Sequence, residues 1–332
     1  MKHHCDRWGN ITPMSVAILT NRTHDEILDE LVQLGCDTSQ IALQILSSDS
    51  YPQDEYPINV LRNLALSAVT TSHVMYADID FWESQDLRDL LHLRSIRQAL
   101  AEDHKRALVV PAFQLFRQCH EWRECPENNI PRMPRTRHDL MLLIKSKNGS
   151  QFDPTNRGGH GSTLYGTWVR TQKEPGSLID IPCVYSNRYE PYLAFRYCRD
   201  LPPFQEQFSG YGKNKMTMVM QMLRSGYRLS QLGGGFLVHY PHLDSNSRLE
   251  WNESPENVLP KKIDGKWHQV KPKNVKGVEW TAYKRGRVDA TFVEFRNWLK
   301  EEVPDESLIS KCQDAEDDDS KLWYDRTNYV IA

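Results

Sequence analysis

Short apolar runs recur along this chain with helix-period segments between them, and that alternation limits its fold more than any other feature. Residues 15–19 (SVAIL) lead into His24 to Leu34, where Ile27, Leu28, Leu31, Val32 and Leu34 fall at helical spacing. Gln40 to Leu46 is a second strand candidate, and Tyr56-Pro57 opens a helix whose Ile58, Leu61, Leu64, Ala65 and Ala68 can face a core. Further strand candidates lie at 73–79 (HVMYADI), 107–113 (ALVVPAF), 192–197 and 236–240. A polar helix around 85–105 and another from Asn214 to about Ser225, closed by Gly226, separate them. Strands alternating with helices predict an α/β sheet, and the irregular connections argue against a regular βα barrel.

The rest of the chain is less regular. The stretch 118–160, with Pro126, Pro131, Pro134 and Pro154, reads as an elaborated loop, and the Lys-rich 261–276 as surface loop. Residues 290–303 carry Phe292, Phe295, Trp298 and Leu299 on one face of an amphipathic helix. From Pro304 onward Asp314, Glu316, Asp317, Asp318 and Asp319 predict a solvated acidic tail. One large domain over 1–303 followed by a tail over 304–332 is the expected organisation.

A hydrophobic share of 39% with 26% charged residues is that of a soluble globular protein, and a net charge of -3 gives no overall attraction to nucleic acid or anionic lipid. No stretch approaches the roughly 18 to 20 apolar residues that span a bilayer. The start, MKHHCDRWGN, lacks the apolar core of a signal peptide, so either the chain is cytosolic or its targeting segment lies outside it. The seven cysteines include no Cys-x-x-Cys pair, which argues against a zinc ribbon or a dithiol redox site. Sequons at Asn10, Asn21, Asn148 and Asn252 matter only in a secretory lumen.

Asp78 and Asp80 end an apolar strand candidate. Two residues apart in an extended backbone, they would present both carboxylates on one side, as a hard divalent cation requires. Strand ends of α/β sheets border the ligand crevice, where such a cation can bridge to phosphate oxygens. Many Asp-x-Asp pairs are mere surface turns; here the apolar strand before and Phe81-Trp82 after favour a site. His239 closes the run FLVHY and offers a nitrogen ligand, which Mn²⁺ accepts more readily than Mg²⁺; His242 competes for that place, and a structural histidine is the bland alternative.

Asn59, Arg62 and Asn63 form one polar stripe on the helix after Pro57, either a solvated face or a contact for a nucleotide. In FSGYGKNKM Asn214 can cap the next helix, which puts Lys215 near an N-terminus where phosphate is favoured, although the spacing is not that of a P-loop. Glu190, between Tyr189 and Pro191-Tyr192, is either a structural carboxylate or, with a pKa raised by burial, a general base. His120 beside Cys119 and Cys125 lacks the fourth ligand and the spacing of a zinc site.

In order along the chain, Tyr56 to Asn63, Ala77 to Phe81, Ala107 to Phe113, Tyr189 to Tyr192, Tyr211 to Lys215 and Gly235 to His239 resemble the glucuronyltransferase-type catalytic domain of glycosyltransferase family 49. The resemblance spans roughly residues 5 to 300, and six blocks in one order are far more specific than any single one. It departs at Gly161 to Trp168, where Leu164 stands in place of an expected asparagine and the preceding loop is longer.

The resemblance implies a GT-A-like nucleotide-diphospho-sugar transferase fold, with a mixed central sheet flanked by helices. It further implies inverting transfer of a sugar, glucuronic acid among the candidates, from a UDP-sugar to a glycan or glycoprotein acceptor, in the Golgi lumen. An ion, Mn²⁺ or Mg²⁺, would be held by Asp78, Asp80 and His239. Asn59, Arg62, Asn63, Asp78, Asn214 and Lys215 would surround the donor, and Glu190 would deprotonate the acceptor. Asp153 and Asp180 are the next carboxylates for that role. Two rival readings are a metal-dependent phosphohydrolase with Asp78 as nucleophile, which Phe81-Trp82 after the motif disfavours, and a catalytically silent carbohydrate-binding descendant.

Overall fold

In the computed structural model, β1 (Met14–Leu19) and β2 (Ile41–Leu46) pair in parallel from Met14 with Ile41 to Leu19 with Leu46, and the helix His24–Gln33 crosses between them. The structure describes residues 1–8, 12–52, 55–171, 173–253, 261–263, 266–268 and 284–315. Thr23 starts that helix as a reciprocal cap: its hydroxyl accepts the Glu26 N–H, and the Glu26 carboxylate accepts the Thr23 N–H. The helix Ile58–Ser67 lies against this pair, where the Ser15 hydroxyl donates to the Ala65 carbonyl at 2.6 Å.

Ten further strands form the middle of the molecule: β3 (His73–Met75), β4 (Phe81–Glu83), β5 (Arg106–Val110), β6 (Ala112–Leu115), β7 (Gly149–Gln151), β8 (Leu178–Asp180), β9 (Cys183–Val184), β10 (Tyr192–Arg196), β11 (Arg228–Leu232) and β12 (Leu237–His239). One sheet has the order β3-β10-β5-β11-β8 and a second the order β4-β12-β6-β7. Both are mixed. β5 and β6 run parallel to β11 and β12, whereas β10, β4, β7 and β8 pair antiparallel to their neighbours. The protein is therefore an α/β fold with mixed sheets flanked by helices.

Three chain segments pass from the first sheet to the second: residues 76–80 between β3 and β4, Pro111 between β5 and β6, and residues 233–236 between β11 and β12. Pro111 breaks the apolar run ALVVPAF because it has no N–H for a ladder. Its carbonyl accepts the Leu237 N–H at 2.9 Å, which ties the second crossing to the third. In the third, Gly234 adopts φ +89°, and a Cβ there would meet the Pro175 Cα at 3.0 Å, so glycine suits this bend.

Strand periodicity builds the core on both faces. Leu193 and Phe195 of β10 point to Met218, Val219 and Met222 of the helix Asn214–Arg224, while Tyr192 and Ala194 point to Ile96 and Leu100 of the helix Arg94–Glu102. Full burial of a side chain such as Phe195 contributes about 1.5–3 kcal/mol.

Several sequence expectations change. The strand read at 73–79 stops at Met75, and the polar helix around 85–105 is two helices, Leu87–Leu91 and Arg94–Glu102. The stretch read as loop at 118–160 holds the helices Glu124–Asn129, Arg137–Lys145 and Arg157–His160 as well as β7. Its prolines obscured the Thr136–Asp139 capping box that starts the second of them. Amphipathic residues 290–303 belong to a longer helix, Lys284–Glu302. Within 261–276, Lys261–Ile263 and Lys266–His268 pair as a hairpin, and the other positions lie outside the described residues.

Three disulfides join Cys5 to Cys36, Cys119 to Cys125 and Cys183 to Cys312, leaving Cys198 unbridged. Residues 304–315 are mostly exposed but tied back: Ser310–Lys311 pairs with β9 beside the Cys183–Cys312 bridge, and Glu306 and Asp305 meet Lys105 and Arg224. The acidic run from Glu316 and the sequon residue Asn10 lie outside the described residues. Among the described residues no helix is long and apolar enough to cross a membrane.

Candidate metal centre and active site

Asp78 and Asp80 stand on the first crossing between the sheets, in a turn closed by the Phe81 N–H on the Asp78 carbonyl at 2.9 Å. The turn replaces the extended backbone expected there, so the two carboxylates part. Nε2 of His4, on the helix Lys2–Trp8, donates to the Ile79 carbonyl at 2.8 Å and holds the turn from outside.

Asp80 faces two histidines. β12 pairs antiparallel with β4 so that His239 lies opposite Phe81, and the Tyr240 N–H donates to the Asp80 carbonyl at 2.7 Å. That register brings His239 Nε2 to 3.3 Å and His242 Nε2 to 3.1 Å from the same Asp80 oxygen. One ligand atom from each of the three residues lies within 4.8 Å of the others. Nδ1 of His242 donates to the Leu243 carbonyl at 2.6 Å, so it is the Nε2 proton, the one bonded to Asp80, whose loss would free a lone pair towards the cluster. Burial alone would raise the Asp80 pKa, but the hydrogen bonds from His239 and His242 outweigh it and hold the carboxyl well below its usual range. His242 is raised, chiefly by its bond to Asp80.

Asp78 is engaged elsewhere. Arg62 Nη2 donates to its Oδ1 at 2.6 Å, while the Tyr192 hydroxyl at 2.8 Å and Lys215 Nζ at 3.1 Å donate to its Oδ2. Burial pushes this carboxyl upward too, yet Lys215 and Arg62 more than offset it, and the net shift is strongly downward. Lys215 Nζ also lies 4.2 Å over the Tyr192 ring and 5.8 Å from the Phe81 ring centre. Phe81 in turn packs 5.0 Å from His239, so this one ring separates the cationic half of the site from the histidine half.

The polar stripe on Ile58–Ser67 is used mainly for construction. Asn59, fully buried, donates to the Gln205 and Asn214 carbonyls at 2.8 and 3.2 Å and accepts from Arg62 Nη1 at 2.9 Å. Asn63 donates to the Phe204 carbonyl and Glu206 and accepts the Phe204 N–H. Only Arg62 reaches the acidic turn. Asn214 is the first residue of its helix rather than its cap: Lys213, at φ 58°, precedes it, and the Asn214 Oδ1 accepts the Lys215 N–H at 2.8 Å.

Glu190 sits just before β10, its N–H on the Gly159 carbonyl at 2.9 Å, and its side chain makes no hydrogen bond or ion pair among the described residues. Burial raises its pKa, against the opposing pull of Lys215 and Arg62. Asp153 also raises it, which puts that carboxylate nearby. Asp180 instead lies at the end of β8, bonded to Arg106 and Ser230. Leu164 packs into the core and its backbone is bonded to Gln231. Cys119 and Cys125 form a disulfide with each other, which removes them as zinc ligands with His120.

Sequence reasoning missed Tyr192, whose inward position on β10 was readable from strand alternation, and His160, which lay in the supposed loop. His160 is buried and packs edge-on 5.0 Å from Phe152, a ring that also touches His239. Burial, and then Lys215, push it down to about 3, so it is neutral at physiological pH.

A family model described as "Glycosyl-transferase for dystroglycan" matches residues 19–269. The chain belongs to glycosyltransferase family 49. Within the family it is 31% identical over 201 residues to "Xylosyl- and glucuronyltransferase LARGE2s" of Danio rerio, covering 60% of this chain and 24% of that protein. LARGE2 of Mus musculus is 29% identical over 255 residues, covering 76% and 34% respectively. LARGE2 of Homo sapiens is 30% identical over 201 residues, covering 60% and 25%. The matched part of the chain thus spans between 24% and 34% of the length of these relatives. A solved structure of GalNAc-T7 with UDP, GalNAc and Mn²⁺ overlaps 74% of this chain and 42% of its own at a TM-score of 0.38 and 10% identity, too remote a likeness to assign anything here.

Proposed function

We propose that residues 1–303 of this family 49 chain form a GT-A-like catalytic domain. In this reading it transfers a sugar, glucuronic acid first among the candidates, from a UDP-sugar to a glycan acceptor with inversion. The observation that carries the reading is the meeting, at the seam between the two sheets, of one carboxylate and two imidazoles with two buried cations and with Glu190, whose carboxylate has no partner among the described residues.

The donor set fits a divalent ion of the Mn²⁺ type: Asp80, His239 and His242 supply one oxygen and two nitrogens from one side, and the His242 tautomer is already selected. When bound, such an ion would neutralise charge on a departing diphosphate. Arg62 and Lys215, gathered by Asp78, would face the same phosphates. Asn59 and Asn214 brace Arg62 from behind, at 2.9 and 3.4 Å from its Nη1, whereas Asn63 fixes the Phe204 segment beside it. Asp78 is thereby a poor nucleophile, since both its oxygens accept from cations or Tyr192, which disfavours the phosphohydrolase reading. Glu190 would accept the acceptor hydroxyl's proton at its carboxylate, a role its raised pKa suits.

The names of the relatives support the choice of a sugar-nucleotide substrate. Three disulfides favour an oxidising compartment, in keeping with a Golgi lumen. The test is a panel of UDP-sugars incubated with Mn²⁺ and glycan acceptors, scored for UDP release and product. Acceptor-stimulated UDP release that stops on chelation is expected. Release of inorganic phosphate from phosphoesters, or sugar binding without UDP release from any donor, would overturn the reading.

A further inference from the structure

Beside the metal-ligand cluster stands an aromatic side chain that the reaction as described does not use. Trp122 is 56% exposed, and its ring stacks on His242 with centres 5.7 Å apart and planes 14° from parallel. Exposing so much of the largest side chain forgoes burial that a core position would supply.

The exposure does not come from a loose segment. Cys119 and Cys125 close the loop, and the Glu124 carboxylate accepts the His120 and Glu121 N–H groups at 3.0 and 3.3 Å. Asn129, fully buried, accepts the Gln118 N–H and donates to the Pro241 carbonyl at 3.1 Å, while Arg117 reaches the His242 carbonyl at 3.4 Å. The loop is therefore bolted to the segment that carries His242. With that imidazole on one side, Trp122 offers the rest of its ring to solvent at the edge of the ligand cluster.

We propose that Trp122 is a stacking platform for a sugar ring of the acceptor glycan, set beside the reaction centre by the Cys119–Cys125 loop. The proposal rests on the transferase reading above. A pyranose has a face of C–H groups, weakly positive, that complements the negative face of an indole, while its hydroxyls stay in water. A cationic partner would also suit an indole face, but the Arg117 guanidinium, held on the carbonyl of the same His242 that Trp122 stacks on, opposes it.

The test uses the full chain with methyl β-pyranosides as probes in saturation-transfer NMR, alongside steady-state kinetics with the best acceptor from the panel. Saturation should reach the C–H protons of one pyranoside face, and Trp122→Ala should remove it. In kinetics Trp122→Ala should raise the acceptor KM roughly five- to tenfold with kcat nearly kept, the scale of one aromatic contact; Trp122→Phe should restore most of it. Calorimetric titration of UDP with Mn²⁺ should be the same in Trp122→Ala. An unchanged acceptor KM, or a parallel loss of Mn²⁺-dependent UDP affinity, would overturn the proposal, the latter making Trp122 a mere support for His242. A wild-type chain that releases no UDP yet transfers saturation through Trp122 would sink the transferase reading and leave the platform standing.

Discussion

Asp78 and Asp80 stand two residues apart and should fail in opposite ways when each is changed to asparagine. Asp78 is the shared anion of Arg62 and Lys215, whose side chains are only 11% and 10% exposed. Asp78→Asn leaves both cations buried without their partner, a loss of about 3–5 kcal/mol for a broken buried pair. In a chain of this size each kcal/mol moves the melting temperature by about 2 °C, so a fall of about 6–10 °C is expected. Asp80 faces His239 and His242 rather than an arginine or lysine, so its loss leaves no permanent cation buried without a partner. Asp80→Asn should therefore change stability by less than about 1 kcal/mol, while removing the anionic ligand from the cluster. The assay is thermal unfolding of both variants with and without Mn²⁺. Asp78→Asn should melt low, and Asp80→Asn should melt like wild type in chelator but lose the stabilisation by Mn²⁺. A wild-type melting temperature for Asp78→Asn, or Mn²⁺ stabilisation persisting in Asp80→Asn, would refute this division of labour.

Glu190→Gln should lower kcat by about two to four powers of ten, the range of general-base catalysis, with Mn²⁺ and UDP affinity kept; loss of acceptor affinity alone would make it a hydroxyl ligand instead. Because a base must be unprotonated and burial raises Glu190, the acid limb of the kcat profile should fall above the usual carboxylate range and vanish in that variant. Mn²⁺ affinity should drop as pH falls through the raised pKa of His242, since a proton competes with the ion for Nε2. Titrations at several pH values would detect this, and a pH-independent affinity between pH 5 and 8 would count against His242 as a ligand.

The strands were legible because their alternation is local: Leu193 and Phe195 against Tyr192 and Ala194 can be read without knowing the partner strand. Asp80 and His239 were legible as polar residues ending apolar runs. Their contact depends on the pairing of β12 with β4, a long-range register that no local pattern encodes, and the same register decides that His242 joins them. The partners of Asp78 were hidden for the same reason, since Arg62, Tyr192 and Lys215 come from three distant elements. The stretch 118–160 was misread because proline suggests loop, although Pro126 and Pro131 lie within short helices.

Three short strips of backbone carry the chain from the first sheet to the second, at 76–80, Pro111 and 233–236, and the acidic turn is itself one of them. The cation pair hangs on the side of β10, the imidazoles on the side of β12. A donor touching both would work like a rivet through two plates. Any change in the buried layers that shifts one plate against the other alters the gap between Lys215 and His239 without touching either residue. Tolerance to substitution should thus be lowest along this joint and rise towards the outer strands β7 and β8, whatever chemistry the gap performs.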